Sequence, residues 1–345
     1  MKGRAAPRSL RVLALMHKSL MPPEEVKQED HETADWKMEY DVVTTLRGLG
    51  HEVRALGVGS DLGVIRDAVA EFKPHITFNL LEGFDDVAIW DQNVVAYLEL
   101  LKTPYTGCNS RGLLLARYKA IAKKLLAYHR ITVTDFVVFP RGRAVRRPKR
   151  LAFPLIVKSL TLDASIGISQ ASVVEDDVKL EERVRFMHES IGTDALVEEY
   201  IEGRELYVGI FGDQRLSVLP VWELSFANLP EERRRIATER LKWSLTYRTR
   251  HGIVSGPATD LPEGVEQRIK DVCKRVYRSL MLSGYARIDL RLGERGLYVI
   301  EANPNPQLSH DEDFAQSARA AGIEYGPLLQ RIVNLGLRWE PAELG

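Results

Sequence analysis

Two runs near the end of the chain, Tyr285-Ala-Arg-Ile-Asp-Leu-Arg291 and Tyr298-Val-Ile-Glu-Ala-Asn-Pro-Asn-Pro306, constrain its fold more than any other stretch. They read as a strand and its hairpin partner. Period 2 places Arg287, Asp289 and Arg291 on one strand face, while Glu301 and Asn303 share a face of the partner. Two carboxylates and an amide oxygen, with no His or Cys among them, are hard ligands of the kind Mg²⁺ takes, and Mg²⁺ leaves further positions to water and substrate phosphates. A metal held there would bridge a nucleotide. The alternative is a solvated hairpin face of alternating charge.

Two further segments bear on that choice. Lys158 lies in the apolar strand PLIVKS and is followed by LTLDASIGIS, where Ser165, Gly167 and Ser169 form a small-residue loop able to wrap phosphates with N–H groups and hydroxyls. It is no P-loop, because GxxxxGK[ST] is absent, and Lys158 read alone is an ordinary edge lysine. In LVEEYIEGREL, Gly203 breaks one strand before the next begins. Such a strand exit presents backbone C=O and N–H groups to an adenine edge, with Glu198 placed for the amino group and Glu205 for ribose hydroxyls. Read alone, this segment is a surface charge run.

At 345 residues the chain exceeds what one hydrophobic core usually supports, so two or three packed units are expected. Residues 1–106 read as a doubly wound α/β unit: apolar strands in LRVLALMH, EVRALGV and Pro74–Leu81 alternate with helical patterns over Tyr40–Leu49, Asp61–Phe72 and Asn93–Leu101. Residues 107–212 and 213–345 read as α+β units, with a helix over Glu181–Ser190 bracketed by strands in the former. Met21–Trp36, rich in Glu, Lys, Asp and His, is a loop of unusual length, a lid or poorly ordered.

Lys+Arg and Asp+Glu balance at 48 each, which excludes a global field for nucleic acid or a membrane surface. The run Leu10–Met16 is too brief for a leader and reads as the first strand. Cys108 and Cys273 have neither metal nor redox spacing, and neither is a candidate nucleophile. A reducing cytoplasm fits.

The order Lys119, VKS around Lys158, SIGIS, EEYIEGREL, ARIDLR and EANPNP resembles the ATP-grasp fold of the D-alanine:D-alanine ligase family. The resemblance covers most of residues 75–338; YTGCNS before Lys119 and NLLEGF after the third strand fit it too. It implies an ATP-grasp fold behind an N-terminal pre-ATP-grasp unit. It further implies that Lys119, Lys158 and Ser165 contact ATP phosphates, that Glu198, Tyr200 and Ile201 hold adenine, and that Glu205 binds ribose. Asp289, Glu301 and Asn303 would hold one or two Mg²⁺ ions, Lys242 would be the mobile-loop lysine on the γ-phosphate, and Arg287 would stabilise a tetrahedral intermediate. The implied reaction joins a carboxylate to an amine through an acyl phosphate, on small-molecule substrates, in a protein whose relatives are often homodimers.

Departures fall at the substrate end. In the family a Pro-Gly loop after the metal asparagine leads to a serine that binds the second substrate's carboxylate. Here Gln307 stands at the glycine, and Asp311, Glu312 and Asp313 follow in the region of that serine. A free carboxylate would be repelled, so an acceptor with an amine or other cationic group is expected if these acids face the pocket; the alternative is a helix start, which acids suit. The family's N-terminal glutamate for the donor's ammonium lacks its glycine-rich context, and Glu39 and Glu82 are the candidates. Genuine D-alanine:D-alanine synthesis, kinase-like phosphoryl transfer and a nucleotide-binding regulator are the rival readings.

Overall fold

A computed structural model describes residues 9–23, 31–162, 166–230, 233–239 and 245–341. Ser165, Lys242 and much of the Met21–Trp36 segment lie outside the described residues.

The first sheet is parallel. Strands β1 (Arg11–His17), β2 (Glu52–Val58) and β3 (Ile76–Asn79) lie in the order β2-β1-β3. The interior of β1 is buried throughout, which is why it reads as one apolar run and not as an alternation: both of its faces are covered. Val12, Ala14 and Met16 pack with Val42, Val43 and Leu46 of α1 (Lys37–Gly48). Leu13 and Leu15 pack on the other face with Ile65 and Ala68 of α2 (Gly63–Phe72) and Val94, Val95 and Leu98 of α3 (Asp91–Leu100). The doubly wound expectation therefore holds, with helix starts two or three residues from those predicted.

Next come α4 (Ser110–Arg117) and α5 (Lys119–Tyr128), followed by an antiparallel four-stranded sheet. Its strands β4 (Phe136–Phe139), β5 (Leu155–Ser159), β6 (Val173–Val174) and β7 (Ala195–Glu199) run in the order β4-β7-β5-β6. Against it lies α6 (Asp177–Phe186), which buries Leu180 and Val184. This helix begins four residues before the expected Glu181, because the Asp176 side chain accepts from Lys179 N–H at 2.8 Å and caps it there.

The third sheet is antiparallel with six strands: β8 (Arg204–Gly212), β9 (Leu216–Val218), β10 (Trp222–Phe226), β11 (Ile253–Pro257), β12 (Tyr285–Gly293) and β13 (Gly296–Pro304). The path is β11-β10-β8-β12-β13, with β9 on β8. The expected second unit ran to Gly212, yet β8 pairs with β10 and β12, so by hydrogen bonding the third sheet begins at Arg204. After the short α7 (Leu245–Arg250), α8 (Val265–Ser279) buries Ile269, Cys273, Val276 and Tyr277 in a core shared with Ile288, Leu290 and Val299. That core also takes Ala122 and Leu126 of α5. Helices α9 (Asp313–Ala320) and α10 (Tyr325–Gly336) pack with β1 and α1. None of the helices among the described residues is long and apolar enough to cross a membrane.

The chain passes from the second sheet to the third through Tyr200–Gly203. Gly203 has φ +151°, and a Cβ there would meet Leu292 O at 2.2 Å and Gly293 Cα at 2.8 Å. Both neighbours are backbone of β12 and cannot turn aside. Gly203→Ala is therefore expected to cost at least about 2 kcal/mol through strain and displacement of β12, read as a lowered midpoint in denaturant unfolding.

Candidate active site

Between the second and third sheets lies a cleft whose walls carry Lys119, Lys158, Glu198, Tyr200, Ile201, Glu205, Asp289 and Glu301. These residues come from α5, β5, β7, the hinge, β8, β12 and β13, so residues far apart in sequence converge. Ile236 and Ala237, from the segment 233–239, add an apolar cover.

At one end of the cleft is a buried ion network. Glu198 is 1% exposed, and its Oε1 meets Lys158 Nζ at 2.6 Å while Oε2 meets Lys123 Nζ at 2.7 Å. Thr134 Oγ1 donates to the same Oε2 at 2.6 Å and accepts from Lys123 at 2.9 Å. Burial alone would raise the Glu198 carboxyl, but the two ammonium groups hold it far below its ordinary 4.5. Burial lowers Lys123, whereas Glu198 and Glu301 outweigh burial at Lys158 and raise it. Each Glu198 oxygen meets a cation, so the side chain orients two lysines, while Oε1 keeps a further acceptor direction. Lys123 was missed in the sequence, although it stands four residues after Lys119 on the same helix face.

The metal-type set lies across the cleft. In the β12–β13 pairing Asp289 stands opposite Glu301 and Arg287 opposite Asn303, with a bulge just beyond Asp289. Asn303 Nδ2 lies 3.0 Å from Asp289 Oδ2 and 3.4 Å from Glu301 Oε1, bridging the two carboxylates where a cation would sit. An amide flip would present its oxygen instead. Arg287 forks onto Asp289 at 2.8 and 2.9 Å and lies over the Tyr207 ring at 4.8 Å. Asp289 keeps this buried guanidinium charged despite burial. The two carboxylates and one amide fit a hard divalent cation.

Glu205 is tied on both sides: Tyr207 Oη donates to Oε1 at 2.8 Å, and Arg291 Nη2 to Oε2 at 2.6 Å. The Tyr200 ring lies between two guanidinium groups, Arg291 at 5.5 Å and Arg234 at 5.6 Å. Lys119 Nζ donates to Leu162 O at 2.9 Å, at the edge of the small-residue loop. Among the described residues of that loop, Gly167 N–H donates to Glu239 at 2.9 Å. Cys108 and Cys273 are buried, and burial pushes their thiols up, Cys108 to about 12, so neither is a nucleophile.

The acids at the substrate end separate. Asp311 is exposed and paired with Lys37 at 2.8 Å, and Gln307 is exposed with its amide 3.5 Å from Ser309. A surface cation satisfied Asp311, which the sequence alone could not reveal. Glu312 instead lies within electrostatic reach of Arg287; its carboxyl is raised by burial, then by Asp313 and Asp311. Asp313 acts on Arg287 in turn. Glu39, in the first turn of α1, is 1% exposed and neither of its oxygens has a hydrogen-bond partner. Burial, with a smaller contribution from exposed Glu82, pushes its carboxyl up to about 7.

Glu198→Gln would strand two buried ammonium groups and is expected to cost about 3–5 kcal/mol in unfolding free energy at pH 7. Because the native Glu198 carboxyl is depressed, the wild-type advantage is fully present above pH 4.5 and shrinks as the pH falls below it. Glu39 has the opposite sign. It binds a proton in the native state between pH 4.5 and about 7 while the unfolded chain does not, so stability falls as pH rises through that window. Ligand-free Glu39→Gln should match wild type below pH 4.5 and exceed it by roughly 3 kcal/mol above pH 7 in paired denaturant titrations.

The comparison with known proteins agrees with this geometry. The family model described as D-ala D-ala ligase C-terminus matches residues 125–334. The D-alanine–D-alanine ligase of Desulforudis audaxviator is 30% identical over 299 residues, covering 85% of this chain and 90% of that one. The uncharacterized protein y4sG of Sinorhizobium fredii is 29% identical over 309 residues, 86% of each chain. In fold, the crystal structure of D-alanine–D-alanine ligase from Bacillus anthracis complexed with ATP superposes with a TM-score of 0.72 over 95% of this chain and 98% of that one, at 23% identity. With more than half of its length matched by the family model, this chain belongs to the D-alanine–D-alanine ligase-like family of ATP-grasp, ATP-dependent ligases.

Proposed function

We propose that this chain joins a carboxylate to an amine at the expense of ATP, releasing ADP and phosphate by way of an acyl phosphate, and that its acceptor is not D-alanine. The observation that carries the reading is the convergence, in one cleft, of cations for phosphate, a hard-metal donor set and a charged arginine beside it. The Tyr200–Gly203 backbone and Ile201 would hold the adenine edge, and Glu205 the ribose. Lys119 and Lys158 would contact phosphates, the latter aimed by Glu198. Ser165 and Lys242 remain candidates of the same kind.

Asp289, Glu301 and Asn303 would hold Mg²⁺, one ion or two, which when bound offsets charge on the phosphoryl oxygens. The protein's own contribution is positional. The cleft aligns the donor carboxylate with the terminal phosphate, and a fixed Arg287 guanidinium can donate to the oxyanion that appears only when the amine attacks. No covalent enzyme nucleophile is needed. Residues 1–106 would supply the donor end through Glu39 and Glu82, while 107–212 and 213–345 clasp the nucleotide, with β8 belonging structurally to the latter. A homodimer through the first unit is the expected assembly.

The acceptor reading rests on Glu312 and Asp313, half-buried at the start of α9 in the region where the family's acceptor serine falls. Negative charge there opposes an acceptor carboxylate and favours a cationic or neutral amine.

The test is ADP release by full-length protein with ATP and Mg²⁺ across pooled carboxylates, amino acids and amines. Release should require two substrates together and favour amines lacking a carboxylate. Arg287→Ala is expected to lower kcat about 10²–10³-fold, and Asp289→Ala to abolish Mg²⁺-dependent turnover. Strict preference for a small zwitterionic amino acid would sink the acceptor reading, and nucleotide binding without turnover in every pool would favour a regulator.

A further inference from the structure

Arg291 was placed on the face of the metal-type residues by strand period alone, and nothing in the mechanism above uses it. It is nonetheless one of the most constrained cations in the cleft. It is 6% exposed, and both terminal nitrogens of its fork are engaged. One terminal nitrogen donates to Ile201 O and Gly203 O at 3.3 Å each. The other donates to Glu205 Oε2 and to Arg235 O, both at 2.6 Å. Three backbone carbonyls, two from the hinge and one from the segment that covers the cleft, therefore hold the guanidinium still. Of the side chains around it, the Glu205 carboxylate takes the short bond at 2.6 Å.

From this geometry we infer that Arg291 is a positioning residue: it locks the Glu205 carboxylate in the orientation that reads the sugar of the bound nucleotide and so sets selectivity for ribose over 2′-deoxyribose. The inference rests on the nucleotide reading of the cleft given above. A carboxylate offers about four acceptor directions. Tyr207 takes one on Oε1 and Arg291 one on Oε2, which leaves one on each oxygen for two vicinal hydroxyl donors. Arg291 and Glu205 stand directly opposite each other on β12 and β8, so the pair is built on rigid sheet and not on a loop. Without the fork, Glu205 regains rotamer freedom and can follow a single remaining hydroxyl, erasing the difference between the two sugars. A lysine could reach Glu205 but has no planar fork with which to engage the hinge carbonyls together with it.

Calorimetric titration of the full-length protein with Mg·ATP and with Mg·2′-deoxyATP tests this. Wild type should bind ATP about tenfold or more tightly than the deoxy analogue, the value of one hydrogen bond to a charged acceptor. Arg291→Met, which fills the volume without the fork, should bring the ratio to within about threefold of unity, mainly by weakening ATP. Arg291→Lys should fall between the two. Tyr207→Phe, which removes the other tie on Glu205, should also compress the ratio and serves if Arg291→Met does not fold. A parallel loss of both nucleotides at an unchanged ratio would show a merely structural role and overturn the inference, as would a wild type that does not discriminate. Absence of any ATP binding by wild type would instead overturn the nucleotide reading itself, and this inference with it.

Discussion

The buried contact of Glu198 with Lys123 and Lys158 is the interaction on which the site depends. It joins three elements that belong to different packing units: α5, whose apolar face lies in the core of the third sheet, and β5 and β7 of the second sheet. Of the two lysines on that carboxylate, Lys158 lines the cleft and also lies in the field of Glu301, so it is held charged and oriented at the wall.

Across the cleft the logic is mirrored with the opposite sign. Asp289 and Glu301 place two acids side by side, and the Asn303 amide and the Arg287 guanidinium hold them in register. The β13 bulge matters here. It inserts one residue between the pairs Leu290–Val299 and Asp289–Glu301, so that successive residues Ile300 and Glu301 both line the cleft. One supplies apolar wall and the other a metal-type oxygen. A regular strand would have sent one of them to the opposite face.

The substrate end is governed by what each acid finds nearby. Asp311 finds Lys37 and turns outward, whereas Glu312 is drawn into the field of Arg287. Glu39 finds no partner and is held as a neutral or costly group in the ligand-free chain. A buried carboxyl of this kind is stabilised when a cation reaches it, which is consistent with a donor carrying an ammonium group.

What the sequence determined by itself was local and periodic: the hairpin with Asp289, Glu301 and Asn303, the apolar β1 covered on both faces, the glycine break at 203 and the absence of a nucleophilic cysteine. Each follows from spacing or residue chemistry along a short local stretch of chain. Tertiary structure alone decided the roles that depend on partners distant in sequence. Glu198 lies 75 positions from Lys123, and its contact with two lysines could not be read along the chain. The same holds for Arg291, whose strand face was legible while its grip on Glu205 and Arg235 was not. Periodicity says which way a side chain points; only packing says what it meets, because the energy of a buried charge is set by the groups around it and not by its own residue type.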